Sequence, residues 1–173
     1  AWFSRGVGNR LPVEGAGPGR TPGQGWTPSN AGASGSASGS VVFAGFGIVE
    51  PRLDHDDYQG AEVNGRIVLM LEREPGVADP SSPFDGIVTA EASRTWRKVL
   101  AAQERGATAV LFVRDVHNRE DINDWPAVHT GAWPDEPRRI ERFTLEAWAE
   151  QITIPAAQIS AELAATLVEG SGR

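Results

Sequence analysis

The sequence predicts a mixed α+β domain in which strands dominate, a twisted, partly open β-barrel or sandwich of about six to eight short strands flanked by two helices. Three observations carry that expectation. Twenty glycines and twelve prolines in 173 residues cut the chain into short segments and favour turns over long helices. Continuous apolar runs of strand length recur at 66–71 and 107–113. Between about Ala90 and Arg105 the apolar residues fall instead at helical spacing.

The first 24 residues have no sustained period and are rich in glycine and proline, so they are expected to form a flanking arm, extended or poorly ordered, with Trp2 and Phe3 as its docking aromatics. Residues 25–173 are expected to form one domain. The run GASGSASGS, 32–40, is a flexible connector by composition. Val41–Ala44 reads as a short buried strand. Arg66–Leu71 follows the turn-forming pair Asn64-Gly65 as a strand, and Glu74-Pro75-Gly76 ends it.

In the helical stretch, Trp96, Val99, Leu100 and Gln103 continue a stripe that Ala92 opens one turn earlier. Thr89 is placed to cap its start, and Gly106 stands where a left-handed residue ends a helix. The buried strand 107–113 follows at once, making a strand–helix–strand unit. Residues 114–138 are polar and broken by prolines, hence a long loop. Arg139–Leu145 alternates as a half-buried strand. Ile152–Ile159 is extended, with Pro155 restricting it to an edge or a bend. Ser160 caps a last short helix whose apolar face is Leu163, Ala164, Leu167 and Val168.

Composition removes several functions. A chain of this length buries roughly 68–70% of its unfolded surface, enough for one core. With 16 Lys+Arg against 23 Asp+Glu, the net charge of -7 argues against nucleic acid as a partner. No apolar run approaches the ~18 residues of a membrane span, so no membrane is expected. Without cysteine there are no disulfides, thiol nucleophiles or zinc-thiolate sites, and the compartment stays open. No signal-peptide pattern opens the chain, as expected of an excised or mature domain.

Chemistry concentrates in FAGFGIVEPRLDHDDYQG, residues 43–60. Its two glycines, Gly45 and Gly47, have neither the third glycine of a dinucleotide fingerprint nor the lysine of a phosphate loop, and a proline stands where a helix should begin. They are expected to permit a bulge or a close strand crossing. A calcium loop counted from Asp54 places Asp56 third but Tyr58 fifth, Gln59 sixth and Gly65 twelfth, which breaks the ligand pattern. His55 has no second histidine nearby, His117 and His129 lying far along the chain. The aspartates are therefore expected to cap turns through backbone N–H groups while Tyr58 packs inward. A metal-dependent enzyme centred on His55 and Asp57 remains the catalytic alternative. No G-x-S-x-G elbow is present.

Farther on, Trp125, His129 and Trp133 recur at equal spacing, with Arg138, Arg139 and Arg142 just beyond. Such aromatics either pin a long loop to the core or bind a peptide or sugar. Trp125, His129, Trp133 and Arg138 are the candidate peptide- or partner-binding residues. Asp135, Glu136 and Glu141 make the arginines equally consistent with a solvated face of mixed sign.

Three ordered blocks, VVFAGFGIVEP…DDYQGAEVNGRIVLMLEREPG, RKVLAAQERGATAVLFV and IPAAQIS, resemble the protease-associated (PA) domain of the type inserted in secreted M28-family zinc aminopeptidases. The resemblance spans about residues 26–169. Phe46 stands for the family's tyrosine, Glu62 for its aspartate, and Asn64 and Arg66 for its two lysines. The arm and the 114–138 loop lie outside the pattern. The resemblance implies a module with no catalytic residues, metal ligands or cofactor of its own, zinc belonging to the parent peptidase domain. It implies a secreted or periplasmic setting, with the catalytic domain of the same polypeptide and peptide or protein substrates as partners. It implies that Asp56, Asp57 and Gly60 set a reversal feeding a Val63–Leu71 hairpin. A stand-alone module binding a protein or glycan through its loop aromatics is the competing expectation.

Overall fold

A computed structural model describes residues 8–13, 19–77, 79–84, 88–115, 125–134 and 146–170. The chain is a mixed α+β domain in which, among the described residues, seven strands form two sheets. β1 (Trp26–Pro28), β2 (Val41–Phe43), β5 (Ile67–Leu71), β6 (Ala109–Val113) and β7 (Ala156–Ile159) make one sheet in the order β1-β7-β6-β5-β2. β3 (Val49–Glu50) and β4 (His55–Asp56) make a small antiparallel ribbon around a 3-10 turn at Pro51–Leu53. The larger sheet is open: β1 and β2 are its two edges.

The pairs β2–β5, β5–β6 and β6–β7 are parallel, and only β1 runs antiparallel, against β7. Parallel strands need covered faces, and their sequences accordingly read as unbroken apolar runs. Val68, Met70, Val110 and Phe112 point to one face, where they pack with Val99, Ala102 and Tyr58. Leu69, Leu111, Val113 and Ile159 point to the other, against Trp26, Leu163 and Ala164. α1 (Thr95–Glu104) covers the first face and α4 (Ala161–Gly170) the second.

α1 ends as its sequence predicts. Gly106 has φ 80, its N–H donates to Gln103 O at 2.9 Å, and Ala107 N–H donates to Ala102 O at 3.1 Å, the paired bonds of a Schellman stop. Its start differs from expectation. Thr89 does not cap it: a 3-10 turn at Glu91–Ser93 intervenes, and Arg94 is the N-cap residue without a side-chain bond. The stripe is also rotated, with Lys98, Val99 and Ala102 deepest and Trp96 and Leu100 only half-buried. Gln103 reaches across to the chain before β7, donating to Gln151 O at 2.9 Å and accepting from Thr153 N–H at 2.7 Å. At α4, Ser160 caps as expected, its Oγ accepting from Leu163 N–H at 3.1 Å.

Three expectations are corrected. β2 is not buried: as an edge strand it leaves Phe43 52% exposed. No Val63–Leu71 hairpin forms, because β5 pairs in parallel on both sides. The Asn64-Gly65 turn is closed by Arg66 N–H to Val63 O at 3.0 Å, with positive φ at Gly65 but not at Asn64. A hairpin turn of type I′ needs positive φ at both. Finally, residues 114–138 are not all loop: α2 (Trp125–Ala132) occupies part of them, tolerating Pro126 in its first turn. A single helical turn, α3 (Glu146–Ala149), adds to the two expected helices. The strand expected at 139–145 lies outside the described residues.

The described parts of the arm are tied to the domain. Leu11 and Arg20 exchange backbone bonds of 3.2 and 3.1 Å, Leu11 and Val13 pack on the α4-side core, and Trp26 Nε1 donates to Arg20 O at 3.0 Å. Pro155 sits at the entrance to β7, which is an inner strand. No helix among the described residues is long and apolar enough to cross a membrane.

A glycine-to-alanine pair tests the Schellman stop. A Cβ on Gly106 would lie 2.3 Å from Asn64 Oδ1, whereas one on Gly60 (φ 76) meets nothing within 4 Å. Gly60→Ala is expected to cost about 1 kcal/mol for its left-handed backbone alone, and Gly106→Ala clearly more, as read by urea denaturation.

Candidate functional site

After β2 the chain turns on two glycines and returns through the β3–β4 ribbon. Gly45 and Gly47 have φ 47 and 68. A Cβ on Gly45 would sit 2.8 Å from Asp57 Oδ1, and one on Gly47 2.6 Å from Met70 Sδ. Both glycines therefore serve conformation and close approach together. Asp57 fastens this turn, its Oδ2 accepting from the N–H groups of Phe46 at 3.2 Å and Ile48 at 2.9 Å. Asp56 Oδ1 accepts from Tyr58 N–H at 2.9 Å, closing an Asx turn, while its Oδ2 receives Arg105 at 3.2 Å. The same guanidinium lies 4.6 Å from the centre of the Tyr58 ring. Burial above all pushes the Tyr58 hydroxyl up from its usual value, Asp57 and Asp56 adding to the rise and Arg105 opposing it.

His55 Nε2 stands 3.1 Å from Asp57 Oδ1, at ion-pair distance but without the alignment of a hydrogen bond. Its ring meets Phe84 edge-on, centroids 4.9 Å apart. Glu50 caps the 3-10 turn between β3 and β4 by accepting from Arg52 N–H at 3.2 Å, and the Arg52 side chain holds its carboxyl down to about 2. Among the described residues, no group of three or more histidine, aspartate and glutamate side chains is arranged to hold a metal.

A buried polar group that the sequence did not announce lies next to this turn. Lys98, only 1% exposed, donates from Nζ to Leu71 O at 3.1 Å and to Arg73 O. Arg73 has φ 62, a left-handed conformation that ordinarily costs a non-glycine residue about 1 kcal/mol. The lysine thus pins the chain where it leaves β5 and bends unfavourably. Glu74, fully buried, does the same for the segment before α1, its Oε2 accepting from Ala90 N–H at 2.9 Å and from Ser93 Oγ. Its Oε1 has no hydrogen-bond partner among the described residues. Burial lowers Lys98 to about 8, against the opposing pull of Glu72, Asp57 and Glu74. Closed off from solvent and engaged with main-chain carbonyls, Lys98 orders backbone and is out of reach of a substrate. The sequence signal was its place one residue before Val99 and four before Ala102, on the buried side of α1.

The aromatics of 125–133 come together on α2, at the β1 edge. Trp125 is buried, and among the described residues its Nε1 has no hydrogen-bond acceptor. His129 Nδ1 lies 2.6 Å from Thr27 Oγ1. Trp133 Nε1 donates to Pro28 O at 2.8 Å. Their equal four-residue spacing was itself a helical signal, masked by the prolines around it. Arg138, with Arg139 and Arg142, lies outside the described residues. Compared with known proteins, the chain matches no family model and no curated protein.

Lys98 carries a pH signature. Its folded-state value lies below that of the unfolded chain, so between about pH 8 and 10.5 the unfolded state binds more protons and stability rises with pH, by up to about 3 kcal/mol. Tyr58, shifted upward, opposes the rise only above about pH 10. Urea denaturation from pH 7 to 10 should show this gain, and Lys98→Met should flatten it while lowering stability at pH 7 by orphaning two carbonyls.

Proposed function

We propose that this chain is a non-catalytic accessory module of the protease-associated type, belonging to a secreted M28-type metallopeptidase and presenting peptide or protein to an active site held elsewhere in that polypeptide. Its own polar residues organise backbone. The observation that carries this reading is the use of Asp56 and Asp57, whose carboxylates are turned onto the N–H groups of Phe46, Ile48 and Tyr58. One oxygen of each carboxylate is thereby committed to the main chain, while Asp56 Oδ2 meets Arg105 and Asp57 Oδ1 faces His55 Nε2 at 3.1 Å, so both side chains serve to order the turn. The blocks that resemble the family also occupy coherent structural places: the first supplies β2, the glycine turn and β5, the second α1 and β6, the third β7. Zinc, in this reading, is held by the parent peptidase domain.

The competing module, with Trp125, His129 and Trp133 as partner anchors, is less well supported. Trp125 is buried, His129 faces Thr27, and Trp133 caps a sheet carbonyl. Replacing Trp125 and Trp133 together by alanine is expected to lower the melting temperature by more than about 8 °C, the response of packed groups. An unchanged melting temperature would instead free them for a partner.

The catalytic question is decided by activity. The purified chain incubated with zinc and aminoacyl p-nitroanilides should release no p-nitroaniline above the rate of the buffer. Turnover that disappears in Asp57→Asn would overturn the proposal and restore the His55–Asp57 centre.

A further inference from the structure

The two edges of the large sheet are finished differently. On β1, Ser160 N–H to Gly25 O and Ser29 N–H to Ala156 O show that residues 25, 27 and 29 face β7, so Trp26 and Pro28 face outward. That side is mostly closed. Trp26 O accepts from Gly23 N–H at 2.8 Å, Pro28 O accepts from the Trp133 indole, and Pro28 has no N–H to offer. On β2, Ile67 N–H to Ser40 O and Ala44 N–H to Leu69 O show that 40, 42 and 44 face β5. Val41 and Phe43 therefore turn two N–H donors and two carbonyl acceptors outward, and among the described residues nothing meets them.

Native sheets protect such an edge with lysine, proline, a bulge or a covering element. β2 is Val-Val-Phe and has none of these. The connector before it, residues 34–40, is exposed and made only of serine, glycine and alanine, so no bulk overhangs the strand. Phe43 is half-exposed on the α4 side of the sheet. α4 also contacts β2, and on this helix Val168 is 42% exposed. The open hydrogen-bonding edge is flanked by apolar surface.

We infer that the outer edge of β2 is a docking site for an extended, neutral or basic peptide, which adds to the sheet as a further strand and lays an apolar side chain beside Phe43. The inference rests on the reading of the chain as a peptide-presenting module and names the surface it uses. Main-chain pairing calls for an extended partner. The chain's net charge of -7 selects against an acidic one. A second copy is the rival occupant that the test below distinguishes.

The test is amide NMR of the ¹⁵N-labelled chain titrated with the acetylated, amidated heptapeptide Lys-Thr-Val-Thr-Val-Thr-Lys. Saturable shifts centred on the Val41 and Phe43 amides are expected. A peptide N-methylated at alternate residues should bind at least about tenfold more weakly, having lost its outward donors. Val41→Pro removes an edge N–H without touching the bonds to β5 and should weaken binding to the same degree at unchanged melting temperature; Phe43→Ser serves if the proline variant does not fold. Absent shifts, shifts centred elsewhere, or equal binding of the N-methylated peptide would overturn the inference. So would sedimentation of the free chain as a dimer that Val41→Pro dissociates, which would assign the edge to a second copy. Failure here with no aminopeptidase turnover removes only the β2 edge, whereas turnover removes the module reading itself.

Discussion

Two neighbouring inner strands, β5 and β6, are packed on both faces, and this withdraws the main-chain groups at their centres from water. A buried N–H or C=O must find a partner, and the surroundings of β5 are largely the set of solutions to that demand. At its start, Ser40 O takes Ile67 N–H, while Arg66 O receives Thr108. At its end, Gly45 O takes Leu71 N–H, Val113 O takes Glu72 N–H, and Lys98 takes the carbonyls of Leu71 and Arg73. The glycine turn, the strained Arg73 and the buried lysine are thus parts of one arrangement. Removing a member leaves polar backbone stranded in a closed core.

The same demand explains what could be read from sequence and what could not. Local grammar was legible. The Gly106 stop, the Ser160 cap, the apolar run of β6 and the turn-forming aspartates each depend on residues within a few positions of one another. Pairings between distant segments were not. Asn64-Gly65 looks alike before a hairpin and before a parallel strand, and only the β6 partner, some forty residues on, decides. The roles of Lys98 and Glu74 were not legible because their partners, Leu71, Arg73, Ala90 and Ser93, lie up to 27 residues away. α2 was hidden by prolines that a first helical turn accepts without loss. Whether Val41–Phe43 is buried is likewise a matter of strand order, which no window of sequence contains.

Function follows the same division. Carboxylates directed onto backbone make the 43–60 turn a rigid corner, and a rigid corner is useful for holding the end of an adjacent strand in place. Of the two sheet edges, one ends in Pro28 and is met by the Trp133 indole just after α2, and the other is left as bare, uncharged backbone beside the glycine corner. The asymmetry is the observation behind the proposed docking edge, which lies across the sheet from α2.

The packing of Gly47 against Met70 has a practical consequence. Met70 is the sole methionine of the chain and is wholly shielded, with the Gly47 backbone against its sulfur. Peroxide can reach that thioether only in molecules whose interior has opened, so conversion to the sulfoxide proceeds at the pace of opening. A single mass increment therefore gives a clock for core exposure, read without any introduced label.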